Sequence, residues 1–269
     1  MTLSGACLLL AASLAAGFVN AIAGGGSLLT FPALTAIGLP HLVANATNTV
    51  ALTPGYLGAI LGQRRDLLGQ KARLRHLLPV AVAGGLAGGW LLLHSDPSLF
   101  RRLVPWLILG GSALLALQDP LRRWLERRQA MGGIQTAIST AAGPADEAPA
   151  SYEGGLGLLL AVLAASVYGG YFGAGLSVIL VAVLAIGLND SLPRLNGLKQ
   201  PIALASNLTA ALLFAVGGPV QWPPVALMAA GAWLGGLLGG RCASRVDPRL
   251  LRRLVVTAGG VIGLVYLLR

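Results

Sequence analysis

Acidic side chains are scarce in this chain, and where they lie excludes several functions at once. Nine Asp and Glu stand against nineteen Lys and Arg in 269 residues. Asp66, Asp96, Asp119, Glu126, Asp146, Glu147, Glu153, Asp190 and Asp247 all fall in, or at the edges of, the loops between apolar runs. Metal-cation carriers and many proton-coupled carriers keep an acid inside the membrane, and this sequence offers none. His41, His76 and His94 are also at segment ends. Neither a paired-acid arrangement nor a zinc motif of the HExxH type is present, which argues against an enzyme. The two cysteines, Cys7 and Cys242, have no disulfide or metal spacing. There is no phosphate-binding loop of the GxxxxGKS type, so ATP is not expected as a partner. The net charge of +10 comes without a basic helix or an aromatic-interleaved patch, so nucleic acid is not expected either. No metal or other cofactor is implied.

What the chain does have is oil and glycine. Hydrophobic residues make up 55%, charged residues only 10%, and there are 38 glycines; a soluble domain carries about 25% charged residues. Mean hydropathy is +0.76. Ten apolar segments separate at charges and breakers, near 3–23, 27–39, 43–62, 77–94 and 101–118, then 155–172, 176–188, 199–217, 222–240 and 251–268. The fold class expected is an all-α polytopic membrane protein. Residues 1–20 carry no charge, so the Ala21-Ile22-Ala23 stretch reads as part of a retained first helix rather than a cleaved signal.

The sequence also repeats itself. Asp96-Pro97-x-Leu99-x-Arg101-Arg102-Leu103-Val104 recurs 151 residues later as Asp247-Pro248-x-Leu250-x-Arg252-Arg253-Leu254-Val255. Gly84-Gly85-Leu86-x-Gly88-Gly89 recurs as Gly235-Gly236-Leu237-x-Gly239-Gly240, and Asn45 as Asn196. At offset 149, Gly24 and Gly26 recur as Gly173 and Gly175, and Ala36 to Leu39 as Ala185 to Leu188. The expected organisation is a first repeat over 1–118, a cytoplasmic linker over 119–153, and a second repeat over 154–269. Arg122, Arg123, Arg127 and Arg128 near Trp124 suggest a short basic helix at the linker's start, either on the inner leaflet or simply solvated.

Charge placement orients the repeats. If the loops at 62–76, 118–153, 189–198 and 241–253 are cytoplasmic, sixteen of the nineteen positive residues lie inside, leaving Arg101, Arg102 and Arg269 outside. Equivalent loops then alternate in charge, as in an inverted repeat with both termini outside. The short second segment of each half follows a glycine cluster, the sequence mark of a broken helix at a transport site.

Neutral donors gather at these breaks. Asn20 precedes Gly24-Gly25-Gly26 and Ser27, and Gly173-Ala174-Gly175 repeats the device. A glycine turn opening a helix presents backbone N–H groups to an anion. The third segments add Thr47 and Asn48 in one half, and Asn196, Lys199, Gln200 and Asn207 in the other. Lys199 either attracts an anion at the cavity mouth or snorkels to the inner headgroups. The GxxxG pairs Gly84/Gly88 and Gly235/Gly239 read as helix-packing residues.

The run from Gly17 to Leu34, with Gly38-Leu39-Pro40 and Ala44-Asn45-Ala46-Thr47-Asn48, resembles the first-repeat signature of the sulfite exporter TauE/SafE family. Gly169 to Gly175, Gly187-Leu188 and Leu195 to Lys199 are similar to its second. Ala174 and Leu176 depart from the glycine more usual there. The resemblance implies a bacterial inner-membrane carrier for sulfite, a sulfonate or a related small anion, working by alternating access. An anion channel is the alternative, and a homodimer fits either. Beyond the small anion, membrane lipid is the one partner expected. Cysteines introduced at Ser95 and Arg249 are expected to react with an impermeant thiol reagent from opposite faces; reaction from one face would make the repeat parallel.

Overall fold

The computed structural model describes residues 2–117, 120, 154–243, 245–246 and 248–268, so the expected linker and its basic helix lie outside the described residues. Those described form helices and connecting turns with no strand. The first half gives α1 (Leu3–Ile22), α2 (Ser27–Ala36), α3 (His41–Gly62), a short 3-10 turn (Arg64–Leu67), α4 (Lys71–Leu93) and α5 (Pro97–Ala116). The second gives α6 (Leu156–Tyr171), α7 (Leu176–Gly187), α8 (Leu192–Gly217), α9 (Trp222–Cys242) and α10 (Pro248–Leu268).

Local chemistry explains the ends. The Thr2 hydroxyl accepts from Gly5 N–H to start α1. The Asp96 carboxylate accepts from Ser98 N–H at 2.6 Å and Leu99 N–H at 3.4 Å, with Pro97 in the first turn of α5. Helices α1, α4, α5, α8, α9 and α10 are long and apolar enough to cross a bilayer. Helix α3 has 22 residues but buries Asn45, Thr47, Asn48, Thr49 and Thr53, which lower its hydropathy. Helix α2 has only 10 residues, about 15 Å and half a hydrocarbon core of about 30 Å. One boundary departs from expectation. Helix α8 begins at Leu192, not near residue 199, so Asn196 and Lys199 lie well inside a helix.

Each fourth helix is lodged in the opposite half. Helix α9 packs between α1 and α3, and α4 packs between α6 and α8. Contacts repeat when the halves are exchanged: α2 meets α10 as α7 meets α5, while α3–α8 and α5–α10 map onto themselves. Lipid chains are as apolar as leucine, so these interfaces rely on close backbone approach rather than on the hydrophobic effect. The glycine ladders supply it. A Cβ at Gly236 would sit 2.0 Å from Gly55 O, and one at Gly235 2.1 Å from Leu14 O. In α4, a Cβ at Gly88 would sit 2.0 Å from Val167 O, and one at Gly85 2.2 Å from Ser206 O. Outward, Leu57, Leu86, Trp106, Leu160 and Leu212 are exposed, as lipid-facing side chains should be.

Gly236→Ala is therefore expected to lose about 1–3 kcal/mol or fail to assemble, because the clash is with backbone that cannot swing away. Gly260→Ala, with no atom within 4 Å of the new methyl, should melt like the parent in detergent. Equal melting temperatures for both variants would remove the close-packing explanation.

Candidate functional site

The two glycine clusters interrupt the helical ladder. Gly24 and Gly25 have φ of +87° and +88°, and Gly173 and Gly175 have +78° and +81°. Only a residue without Cβ enters that region cheaply. The chain thus leaves α1 and enters α2 in four residues, and does the same between α6 and α7. The breaks meet near the centre of the fold, where a Cβ at Gly24 would lie 2.8 Å from Ser177 Cβ, at the start of α7. Two helix N-termini, each a partial positive charge, converge there.

Breaking a helix inside a membrane leaves carbonyls and amides that water cannot reach. Side chains from the opposite half, with Gln63 from just past α3, take them up. Ala21 O, at the end of α1, accepts from Gln63 Nε2 at 3.0 Å, Asn196 Nδ2 at 3.2 Å and Gln200 Nε2 at 3.2 Å. Asn196 also donates to Gln63 Oε1 at 2.9 Å. In the other half, Asn45 Nδ2 donates to Tyr171 O at 2.9 Å. Asn45 and Asn196 are therefore one device used twice, each holding the broken end of the other half's first helix. Within the breaks, Asn20 Oδ1 accepts from Gly26 N–H at 2.8 Å, and Tyr168 OH donates to Ala174 O at 2.6 Å.

Lys199 is fully buried, so it does not snorkel to headgroups. Its Nζ donates to Asn20 O at 3.4 Å, and none of the ion pairs formed by the described residues includes it. Asn20, Gly26, Asn196, Lys199 and Gln200 are thus brought together around the first break, with Ser27 opening α2 beside them. Gly24 and Gly25 form that break and Gly173 and Gly175 the other, whereas Thr47 and Asn207 make contacts elsewhere. Thr47 Oγ1 accepts from Gln221 N–H at 3.1 Å, before α9. Asn207 Nδ2 donates to Thr49 O and Thr53 Oγ1, joining α8 to α3. Asn48 is buried, and its Oδ1 has no hydrogen-bond partner; turning the amide over would present N–H instead. Gln63 was not expected from sequence. It reads as loop, though a lone amide at the head of an arginine run was a usable signal.

Above this cluster a cavity of about 910 Å³ opens between the basic loops. Gln63 and Asn196 are among its polar residues, Arg64, Arg241 and Arg252 among its cations, and Ile22 and Val178 among its apolar ones. Of the expected site residues only Asn196 lines it; Lys199, one helical turn further along α8, is sealed off.

Next to the cavity lining, ions tie the two halves together. Arg73, at the start of α4, pairs with Asp190, between α7 and α8, and Arg194 donates to the same carboxylate at 3.0 and 3.1 Å. Gln70 Nε2 adds bonds to Asp66 O and Arg194 O. Burial alone would raise the Asp190 pKa, but hydrogen bonds from Arg73, Arg194 and Ser191 N–H outweigh it and hold the carboxyl below its ordinary 3.8. Asp66 goes the other way, raised by burial against the pull of Arg194.

A multi-pass helical membrane protein with two glycine-broken helices meeting under a cationic cavity has the build of a membrane transporter. A model of the family described as sulfite exporter TauE/SafE matches residues 9–266, and the chain belongs to that family. It is similar to a "Probable membrane transporter protein" of Haemophilus influenzae, 29% identical over 241 residues, covering 90% of this chain and 86% of that one. Similar too are the "Probable membrane transporter protein YfcA" of Escherichia coli K12, 27% identical over 91% of this chain and 83% of its own, and the "Probable membrane transporter protein ORF9" of a Sinorhizobium species, 24% identical over 92% and 87%. No solved structure gives a significant match.

Asp190→Asn leaves the nearly buried Arg73 short of its counter-charge, and is expected to cost about 3 kcal/mol. The folded carboxyl titrates below the unfolded one. The clasp therefore stabilises fully above pH 3.8, and its contribution fades as pH falls through the lower folded value. Melting curves of parent and Asp190→Asn should converge on acidification. A gap that stays constant through the acid limb would show that the charge of Asp190 is not what stabilises the fold.

Proposed function

We propose that this protein is a secondary carrier that exports a small anion, such as sulfite, a sulfonate or a related organic acid, across the bacterial inner membrane. Cargo moves by alternating access at the interface of two inverted halves. Lys199 carries this reading. A cation buried in an apolar interior is costly unless a negative partner reaches it, and among the described residues the hydrogen-bond partner of Lys199 is the Asn20 carbonyl. An anion docking beside the Asn20–Gly26 turn would supply that partner, and the converging helix N-termini would favour the same sign of charge. At about 4 Å and an effective dielectric of 20 the attraction is about 4 kcal/mol.

Several observations support the remaining parts. The cavity opens among the arginine-rich loops, which the positive-inside rule assigns to the cytoplasm. Loading from that side gives export and leaves both termini outside. The symmetric exchange of packing partners fits an inverted repeat. The sealed floor between cavity and Lys199 favours a carrier over a channel, because a channel needs a continuous path. With no acid inside the membrane segments, any proton coupling runs through the anion itself or through Lys199, the buried titratable group at the first break.

Binding of sulfite, sulfate, sulfoacetate and simple carboxylates to purified protein tests this, followed by flux in liposomes. Lys199→Gln should lose most binding while melting no lower than the parent, since the variant buries no charge. Lys199→Arg should keep part of it, and Asn48→Ala should weaken it without changing its salt dependence. If Lys199→Gln binds as tightly as the parent, the lysine is not part of the site.

A further inference from the structure

The central site leaves the duplicated Arg-Arg motif unused, yet its first arginine lines a cavity in each half. Arg252 lines the cavity of about 910 Å³, which Leu61 and Gly62 bound at the end of α3. Arg101 lines a second cavity of about 1340 Å³, which Pro40 and His41 bound at the start of α3. The two therefore open toward opposite ends of the same helix.

Their walls are built from equivalent positions. Leu29, Pro32 and Ala33 of α2 face Arg101 across one cavity. At offset 149 these become Val178, Val181 and Ala182 of α7, which line the other, and at offset 151 Arg101 becomes Arg252. Each cavity thus pairs the apolar flank of a short second helix with the first arginine of a fifth helix. Nothing in a loop-charge account requires that register. Cytoplasmic arginines are explained by orientation, but Arg101 lies on the sparsely charged side and still takes the equivalent place. The Asp-Pro start explains how the place is held. The Asp96 cap on Ser98 and Leu99 fixes where α5 begins, and so fixes which face of the next turn carries Arg101.

We infer that Arg101 and Arg252 are equivalent anion-contact residues, one at each mouth of the pathway. Cargo then meets a guanidinium beside an apolar helix flank on either side of the membrane. This rests on the carrier reading above and adds a contact at each entrance to the central site. A guanidinium fork matches the paired oxygens of a sulfonate, sulfite or carboxylate better than an ammonium does. The apolar flank lowers the local dielectric and strengthens that contact. The mouths differ in exposure and in company: Arg252 is 3% exposed among Arg64, Arg65, Arg241 and Arg245, whereas Arg101 is open to its surroundings with Arg102 beside it.

The experiment measures sulfite and sulfoacetate flux in right-side-out and inside-out membrane vesicles. Arg252→Gln is expected to raise the KM about tenfold or more for anion presented at the basic face only. Arg101→Gln should do the same at the opposite face only, and lysine at either position should restore part of the affinity. A variant that alters both faces equally, or neither, overturns the inference. So does an Arg101→Gln effect that disappears in vesicles without anionic phospholipid, since that arginine then serves lipid phosphate. Because Arg252 is buried, its glutamine variant is judged only after its melting temperature matches the parent. If it does not, Arg252→Cys is used, with Cys7 and Cys242 replaced. Negatively charged thiosulfonate reagents should label Arg252→Cys from the basic face and Arg101→Cys from the other, and added sulfite should slow each from its own side. Labelling that sulfite does not slow overturns the inference. If the parent moves neither anion, the carrier reading fails, and the mouths stand or fall on whether sulfite protects them from labelling.

Discussion

The carbonyl of Ala21 is the point on which this fold turns. A helix that stops inside hydrocarbon strands its last acceptors where no water can reach them, at several kcal/mol for each unsatisfied group. Here Gln63, Asn196 and Gln200 all aim amide N–H groups at that one oxygen. Two of the three come from the other half of the chain. Asn45 does the reciprocal work on Tyr171 O. A break in either half is therefore tolerable only while both halves are docked, which couples the integrity of the centre to the arrangement of the repeats.

The same reciprocity governs the scaffold. Each fourth helix is held by the opposite half through backbone contact that only glycine allows, at Gly85 and Gly88 on one side and Gly235 and Gly236 on the other. Such an interface is rigid, because its atoms are main chain on both sides. The Arg73–Asp190–Arg194 clasp reinforces one of these interfaces, joining the start of α4 to the start of α8. On the proposed carrier reading, the parts that move against each other must then be the two glycine-locked groups, α9 with α1 and α3, and α4 with α6 and α8.

Much of this was legible in the sequence because glycine and charge are punctuation. The clusters at Gly24 and Gly173 announced the breaks, and the short segments after them became the short helices α2 and α7. Hydropathy failed where it had to fail. It scores Asn196 and Lys199 as solvent-facing, so the start of α8 was placed near residue 199 instead of Leu192. Polar residues buried for a purpose look the same in one dimension as polar residues in a loop. Gln63 was missed for that reason. The exchange of fourth helices and the opposing cavities were illegible for another reason: they depend on which surfaces meet across the chain, and no local pattern encodes that.

Charge is distributed along the depth of the protein in a way that suits weak, reversible binding. Arginines crowd the cavity wall on the basic face, two exposed arginines, Arg101 and Arg102, line the cavity at the other end, and a lone buried lysine lies between. If all were buried together, repulsion and desolvation would be prohibitive. If all were at the surface, ions in the medium would screen them within about 10 Å. On the proposed carrier reading, this spacing would draw an anion inward in steps, each site gaining only part of the attraction. The deepest step is the one the protein leaves incomplete. Among the described residues the partner of Lys199 is a carbonyl, and on the proposed reading a fixed carboxylate there would compete with the cargo. The scarcity of acidic residues in the sequence and the lack of a carboxylate beside this buried lysine among the described residues are thus one fact seen at two scales.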